Sequence, residues 1–515
     1  MNQIQKMINE RYNSKERELT EKFISNIKRT KAKIYNDGYM ANDQSIINEL
    51  YKSAYEYAKS MSKLENKKYG IKKEVVINSI NPENYANEIY GSTSYDKSKS
   101  IIDINFSDFM KDVIDSKSQE ETIITCLNLS STIFHECYHQ CQHYVCRDML
   151  MKDKIIDNEF IVPHKVFSTS VELALNELMF DDYYSKSGNY FKILFERDAR
   201  VIGYKKTFEM MEKIFDNPSQ YMNKSIYTDL VKDMYLENKK MTNINGDLKD
   251  RLLVNIQQLE TVFVASPEKL ADFPALSLAF NTDGHIKSLD QIAKDFNMRR
   301  EIIKNNKSLP EDVKKAKAND LNDLYSVVYL NTIGYQSDES IKESIANIGI
   351  EPIKELSVLA KNYSNKAAKE QVIAAKVERK FLEDNPQLNI NPDEVYEHRI
   401  GSLKESDKER LLLINRVSKY IGEPDIEETD KEAPSIDTYE QEISEFEVKE
   451  NASPKISNFT TFSDFYLTQM RDLRDSYKKR EESLILNRDY YRELLGEKSK
   501  DSIEEKEIKH DRRGN

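Results

Sequence analysis

The chain has 515 residues, of which 39% are hydrophobic and 32% are charged, and it contains no tryptophan. This length exceeds one ordinary hydrophobic core and predicts two to four domains, and the composition is globular rather than disordered. The formal net charge of −12 argues against a nucleic-acid-binding protein, which would present a basic surface. Gly and Pro are scarce, at 13 and 12 residues, so a mostly helical chain is expected.

Targeting signals and cysteine usage bear on the compartment. Residues 1–23 contain no apolar segment like that of a Sec signal peptide, and no run of 18 apolar residues predicts a membrane span. The four cysteines all lie within residues 126–146, which does not fit the disulfide framework of a secreted protein. We therefore expect free thiols, a cytoplasmic location and no membrane partner; non-classical export is the alternative.

The first elements in chain order are helices. Residues 1–75 have apolar positions three and four apart, which predicts two or three helices ending near residue 70. Two short segments rich in β-branched residues follow, 73–80 and 99–109, and the stretch 90–99 between them is rich in turn formers. These segments predict a small sheet whose strands are joined by a turn.

Helical spacing then returns. Residues 118–151 contain neither Gly nor Pro, and further helices are predicted over 167–186 and 191–215. Most of the chain from 216 to 422 has the pattern of helices with polar faces, although 273–296 could hold a strand, a turn and a helix start. The predicted fold class is therefore α+β, mostly helical and multidomain, with one small sheet.

One cluster of residues in the long helix has the pattern of a metal-binding catalytic site. His135, Glu136 and His139 form the pattern H-E-x-x-H. A helix turns about 100° per residue, so the two histidines lie about 40° apart on one face and can bind one Zn²⁺ ion. Glu136 can then take a proton from a zinc-bound water as this water attacks a carbonyl group. The pattern predicts Zn²⁺ as cofactor and Glu136 as general base.

The other residues of this helix have different expected roles. Cys137 lies about 200° around the helix from His135 and Cys141 about 240°, so both face away from the histidine pair. We interpret them, and Cys146, as small buried residues of the core. His143 lies one turn beyond the second histidine, as an alternative ligand or a residue that supports the site.

A catalytic zinc ion has three protein ligands and one open position. Glu177, which lies 38 residues after His139, and Glu196, which lies 57 residues after it, both stand on later predicted helices. Neither spacing rules out a ligand, so the residues alone leave the choice between the two carboxylates open.

The pattern resembles the gluzincin group of zinc metallopeptidases, especially compact bacterial and mobile-element members with H-E-x-x-H-x-x-Q followed by Y-x5-E-x-D-A-R. The matching positions are His135, Glu136, His139, Gln142, Tyr190, Glu196, Asp198, Ala199 and Arg200. The resemblance covers about residues 76–215. It implies that Glu196 is the third ligand and that Ala199 lets its helix approach the active-site helix. It also implies that Asp198 and Arg200 support the site, as Gln142 could.

A competing match concerns Glu177. Asn176, Glu177 and Asp181 resemble the N-E-x-x-x-D of thermolysin-like enzymes, in which the Asp supports the first histidine. On the substrate side, the predicted strand 100–106 is our candidate for an edge strand that binds an extended peptide. Tyr190 and Tyr204 are candidates for stabilising the oxyanion.

These expectations divide the chain into five parts. Its parts are 1–75, an N-terminal helical region; 76–215, a zincin-like metallopeptidase domain; 216–422, a helical domain of unknown role; 423–458, an acidic linker; and 459–515, a helix and charged tail. The predicted function is zinc-dependent hydrolysis of a peptide or protein substrate. The alternative is a mobile-element or phage-type helical interaction protein with a degenerate or structural metal site. Nucleic-acid binding through 285–320 rests only on a faint resemblance to a helix-turn-helix.

Overall fold

The fold was analysed in a computed structural model. It describes residues 3–36, 43–80, 91–149, 164–183, 248–384 and 391–422, and singly 162, 196, 199, 200, 202, 203, 206, 207, 210 and 386. The chain divides into two units, Met1–Phe465 and Tyr466–Asn515, and every described residue belongs to the first. Helices dominate, accompanied by one small sheet, so the predicted fold class is confirmed. The predicted linker and tail, 423–515, lie outside the described residues.

The N-terminal region forms two helices, as predicted. Helix α1 spans Gln3–Asn36 and helix α2 spans Gln44–Lys68. The side chain of Asp43 caps α2 by accepting a hydrogen bond from the Ser45 amide at 2.8 Å. The stacked rings of Phe23 and Tyr57, with centroids 4.2 Å apart, help to pack the two helices together.

The sheet differs from the prediction. Its strands are β1 (Glu74–Ser79), β2 (Gly91–Tyr95) and β3 (Lys99–Ile104), in the order β1-β3-β2, with β1 parallel and β2 antiparallel to β3. The predicted turn over 90–99 is wrong for 91–95, because these polar residues form β2 and pair with β3 through their backbone. Residues 96–98 connect the two strands. The predicted edge strand over 100–106 is also wrong, because β3 is the central strand with a partner on each side.

Two helices follow the sheet. Asn105 follows the central strand and caps helix α3 (Phe106–Asp115), and Ser118 caps helix α4 (Gln119–His143). The predicted helix 118–151 is confirmed as α4, which continues as a π-helical turn over Tyr144–Met149. Such turns are often found at functional sites.

The remaining described elements are nearly all helical. They are α5 (His164–Tyr183), α6 (Leu248–Ala265), α7 (Leu289–Asn305), α8 (Glu311–Ile333), α9 (Asp338–Ile348), α10 (Ile350–Asp384) and α11 (Pro392–Ile421), with 3-10 turns at Pro267–Asp272 and Pro274–Leu278. The strand considered within 273–296 is reduced to a single bridge between Phe280 and Ile286. None of the helices within the described ranges has the length and apolarity required of a membrane span.

One large buried core packs the described N-terminal helices against the sheet. Apolar side chains from α1, α2, β1, β3, α3 and α4 share one buried cluster, which Met210, Leu382 and Val395 also join. The cluster crosses the predicted boundary between residues 75 and 76. Helices α1 and α2 therefore pack against the helix that carries the H-E-x-x-H pattern.

Candidate metal centre

Helix α4 buries one face in the core and turns its histidines the other way. Ile133, Phe134 and Cys137 are almost completely buried in the core. All four cysteines are buried and none forms a disulfide bond, which confirms their predicted role as small core residues. Burial raises the pKa of the Cys137 thiol, which therefore stays protonated at neutral pH.

The two histidines of the pattern converge as their spacing predicts. The Nε2 atoms of His135 and His139 are 3.0 Å apart, and their rings are nearly perpendicular. Glu136 Oε1 lies 3.8 Å from His135 Nε2. These three side chains offer ligand atoms that all lie within 4.8 Å of one another.

Glu196 completes the group. Its Oε2 lies 3.4 Å from His135 Nε2 and its Oε1 lies 3.4 Å from His139 Nε2, with only 6% of its side chain exposed. Burial alone raises the pKa of this carboxyl group, but His139 and then His135 outweigh burial and hold the pKa well below its usual range. A buried, ionised carboxylate therefore faces both imidazoles.

The donor set fits a zinc ion. Zinc bonds of about 2.0–2.1 Å in a tetrahedron separate neighbouring ligand atoms by about 3.3 Å. The separations of 3.0, 3.4 and 3.4 Å among the donors of His135, His139 and Glu196 are close to this value. Glu136 Oε2 is buried and has no hydrogen-bond partner among the described residues, as suits an oxygen that meets a small ligand.

Gln142 orients the second histidine. The Nδ1 atom of His139 lies 2.8 Å from Gln142 Oε1, which can only accept a hydrogen bond. Nδ1 therefore carries a proton, and this hydrogen bond fixes the ring so that Nε2 points toward His135 and Glu196.

Glu177 lies in a different cluster. Its Oε1 is 3.3 Å from His143 Nδ1, its Oε2 accepts a hydrogen bond from Arg147, and 27% of its side chain is exposed. The Arg147 guanidinium stacks 4.1 Å from the centre of the Tyr95 ring at the end of β2. Burial and Arg147 hold the pKa of His143 well below its usual range, so its imidazole is neutral. The fold brings Glu196, and not Glu177 or His143, to the histidine pair.

Other predicted site residues are placed only in part. Ala199 is buried and Arg200 is half-buried. Asp198, Tyr190 and Tyr204, together with the side chain of Asp181, lie outside the described residues.

Two glycines that the sequence analysis did not single out allow the close packing around α4. A Cβ atom on Gly203 would lie 2.8 Å from the backbone oxygen of Ser131 and 3.4 Å from His135 Cβ. A Cβ atom on Gly91 would lie 2.8 Å from Thr132 Cγ2 and 3.1 Å from Glu136 Oε1. The segment that carries Glu196 thus approaches α4 closely at Gly203. For Gly203, the signal in the sequence was an isolated glycine within a helical pattern, which indicates a packing or functional reason.

Strand β2 lies directly beside the pattern. Thr93 Oγ1 donates a hydrogen bond to the Glu136 carbonyl oxygen at 3.2 Å. Gln140 Nε2 donates to the Ile101 carbonyl at 3.0 Å and lies 3.4 Å from that of Ser94. These bonds fix α4 against the sheet.

In comparisons with known proteins, no family model, no curated protein and no solved structure matches this chain. The function must therefore be argued from the residues of the site themselves.

Proposed function

We propose that the chain is a zinc-dependent metallopeptidase of gluzincin type, in which His135, His139 and Glu196 hold the metal. One observation carries this proposal: each oxygen of the buried Glu196 carboxylate lies 3.4 Å from one histidine Nε2 atom. A structural site would have no need of Glu136, whose carboxylate borders the donor set at 3.8 Å from His135 Nε2.

The chain's own residues supply the proton transfers. A zinc ion in this donor set would lower the pKa of water to about 7 and polarise the carbonyl oxygen of a peptide bond. Glu136 accepts a proton as the water oxygen bonds to the carbonyl carbon. It then delivers that proton to the amine nitrogen as the carbon–nitrogen bond breaks. His139 keeps its donor atom directed at the site through Gln142.

A peptide substrate is favoured by the sheet edge. Strand β2 pairs with β3 on one side, and no described strand pairs with its other side. Because β2 contacts Glu136 through Gly91 and Thr93, an extended peptide added to this edge would have its backbone beside the general base.

Metal content tests the proposal. We expect about one zinc per wild-type chain, loss of zinc in His139→Ala and weakened binding in Glu196→Gln. Glu177→Gln is the matched control and keeps its zinc, because that carboxylate pairs with His143 and Arg147. Glu136→Gln binds zinc but does not cleave a peptide library. If the wild-type protein binds no zinc after reconstitution, the proposal of a metallopeptidase is refuted, and the alternative of a helical interaction protein remains.

The proposal includes a cytoplasmic location. None of the four cysteines forms a disulfide bond, as in a reducing compartment. Detection of the protein outside the cytoplasmic fraction of its cells would contradict this part.

A further inference from the structure

A pair of opposite charges is buried outside the candidate metal centre. Lys206 Nζ lies 2.6 Å from Glu16 Oε2 of helix α1, with 2% and 0% of the two side chains exposed. Lys206 Nζ is also 3.3 Å from Asn13 Oδ1. Charges so completely removed from water are retained only where they are paired, and breaking such a pair by removing one partner is strongly destabilising.

Two residues of α2 balance this pair. Lys68 Nζ lies 2.8 Å from Glu16 Oε1 and 3.4 Å from Glu65 Oε2. We call Glu16, Glu65, Lys68 and Lys206 the buried ion cluster. Burial alone raises the pKa of Glu16, but Lys206 and Lys68 outweigh burial and hold that pKa well below its usual range. Glu16 is therefore an ionised anchor for Lys206.

Lys206 shares a helical face with Glu196. The described residues between positions 196 and 210 are all helical. Glu196, Ala199, Gly203, Lys206 and Met210 follow one another at intervals of three and four, and all five are buried. Lys206 therefore anchors the same face that presents the Glu196 carboxylate to α4.

Helix α1 is in turn fixed to α4. The hydroxyl groups of Thr20 and Tyr57 are 3.0 Å apart, and Tyr57 Oη donates to Ser130 Oγ at 2.8 Å. Ser130 precedes Ser131, the residue against which Gly203 packs. Glu16 and Thr20 are one turn apart on α1, so a continuous path of buried polar contacts runs from α4 through α2 and α1 to Lys206.

We propose that Lys206 is a positioning residue for Glu196, and that its ion pair with Glu16 sets the distance of the Glu196 carboxylate from His135 and His139. This inference rests on the proposed metal centre and deepens it. Helices α1 and α2 would then help to position a metal ligand. A buried ion pair that fixes the register of one element on another is an established use of buried charge.

The test is the affinity of the full-length protein for zinc, measured by competition with a chromophoric chelator. Lys206→Met is compared with Glu16→Gln/Lys206→Met, which removes both charges and leaves Glu65 and Lys68 balanced. The matched control is Lys33→Met, which removes an exposed ion pair between α1 and α2 to Glu49. Circular dichroism and melting of the metal-free proteins report folding separately.

The expected result is that wild type and Lys33→Met bind one zinc with equal affinity, and that the double variant binds it about tenfold or more weakly while folded. Changes in the residues that support metal ligands typically have effects of about 10–100-fold. The Co²⁺ absorption spectrum of the double variant should also change, because the carboxylate ligand is displaced.

Other outcomes overturn the inference. A folded double variant with wild-type zinc affinity and Co²⁺ spectrum makes the buried ion cluster a stability device only. If the wild type and Lys33→Met bind no zinc, the proposed function and this inference fail together. If Lys206→Met alone does not fold, the zinc affinity of the charge-balanced double variant tests the inference.

Discussion

The substitution Gly203→Ala tests how closely the Glu196 segment must approach α4. The added Cβ atom would lie 2.8 Å from the Ser131 carbonyl oxygen, about 0.6 Å short of the 3.4 Å at which ordinary contact begins. Ser131 O is a backbone atom of a packed helix and cannot rotate away, so the Glu196 segment has to move.

The expected change in the free energy of unfolding is the balance of two opposing effects. In an unobstructed helix, Ala is favoured over Gly by about 1 kcal/mol, whereas forcing an extra carbon into a packed contact typically costs about 1–3 kcal/mol. We therefore expect a net loss of up to about 2 kcal/mol in the free energy of unfolding. Metal ligands tolerate displacements of only about 0.2 Å, so a shift of about 0.6 Å should weaken zinc binding about tenfold or more.

The assay combines urea denaturation with a competitive zinc titration. Gly401→Ala is the matched control, since Gly401 lies within α11 and a Cβ atom there meets nothing within 4 Å. That control should keep wild-type zinc affinity and gain up to about 1 kcal/mol of stability. If Gly203→Ala behaves like Gly401→Ala in both measurements, the reasoning from close approach is wrong.

Two further predictions concern the frame around α4. Burial raises the pKa of Glu65 to about 7, above its model-compound value of 4.5, so the folded state holds an extra proton in between. The stability that this proton contributes is present at acid pH and is lost as the pH rises through about 7, and Glu65→Gln should abolish this decline in the free energy of unfolding. An unchanged pH profile of denaturation would contradict it. Tyr57→Phe removes the hydroxyl group that contacts Thr20 and Ser130, and should lower the free energy of unfolding in urea by about 1–2 kcal/mol. The loss is small because Thr20 and Ser130 keep their bonds to the carbonyl oxygens of Glu16 and Cys126. Wild-type stability would show that this hydroxyl adds nothing.

The sequence could predict what depends on local periodicity. The long helix with His135 and His139 on one face, its buried cysteines and the helical N-terminus all follow from spacing along the chain. Glu196 could be named only through a resemblance, because its distance of 57 residues from His139 carries no geometric information. Its carboxylate meets the histidines only when the tertiary structure has formed.

Features that depend on distant partners were missed. Strand β2 has the sequence GSTSY, which lacks the apolar alternation of a strand, and it is held by backbone pairing with β3 and by contacts with α4. The ion pair between Glu16 and Lys206 joins residues 190 positions apart, so no local pattern could reveal it. The glycines next to α4 show their importance only when the neighbouring helix is in place.

The ion pair of Lys206 also has a consequence for the order of assembly during synthesis. Helices α1 and α2, which carry Glu16 and Glu65, leave the ribosome before the lysine that completes the cluster, which is made about 140 residues after α2 ends. At about 5–20 residues per second, this interval is on the order of 10 s. Until then Glu16 can pair with Lys68 but not with Lys206. The nascent chain also holds the two histidines before it holds Glu196, so the proposed three-ligand site can form only after residue 196 has been made.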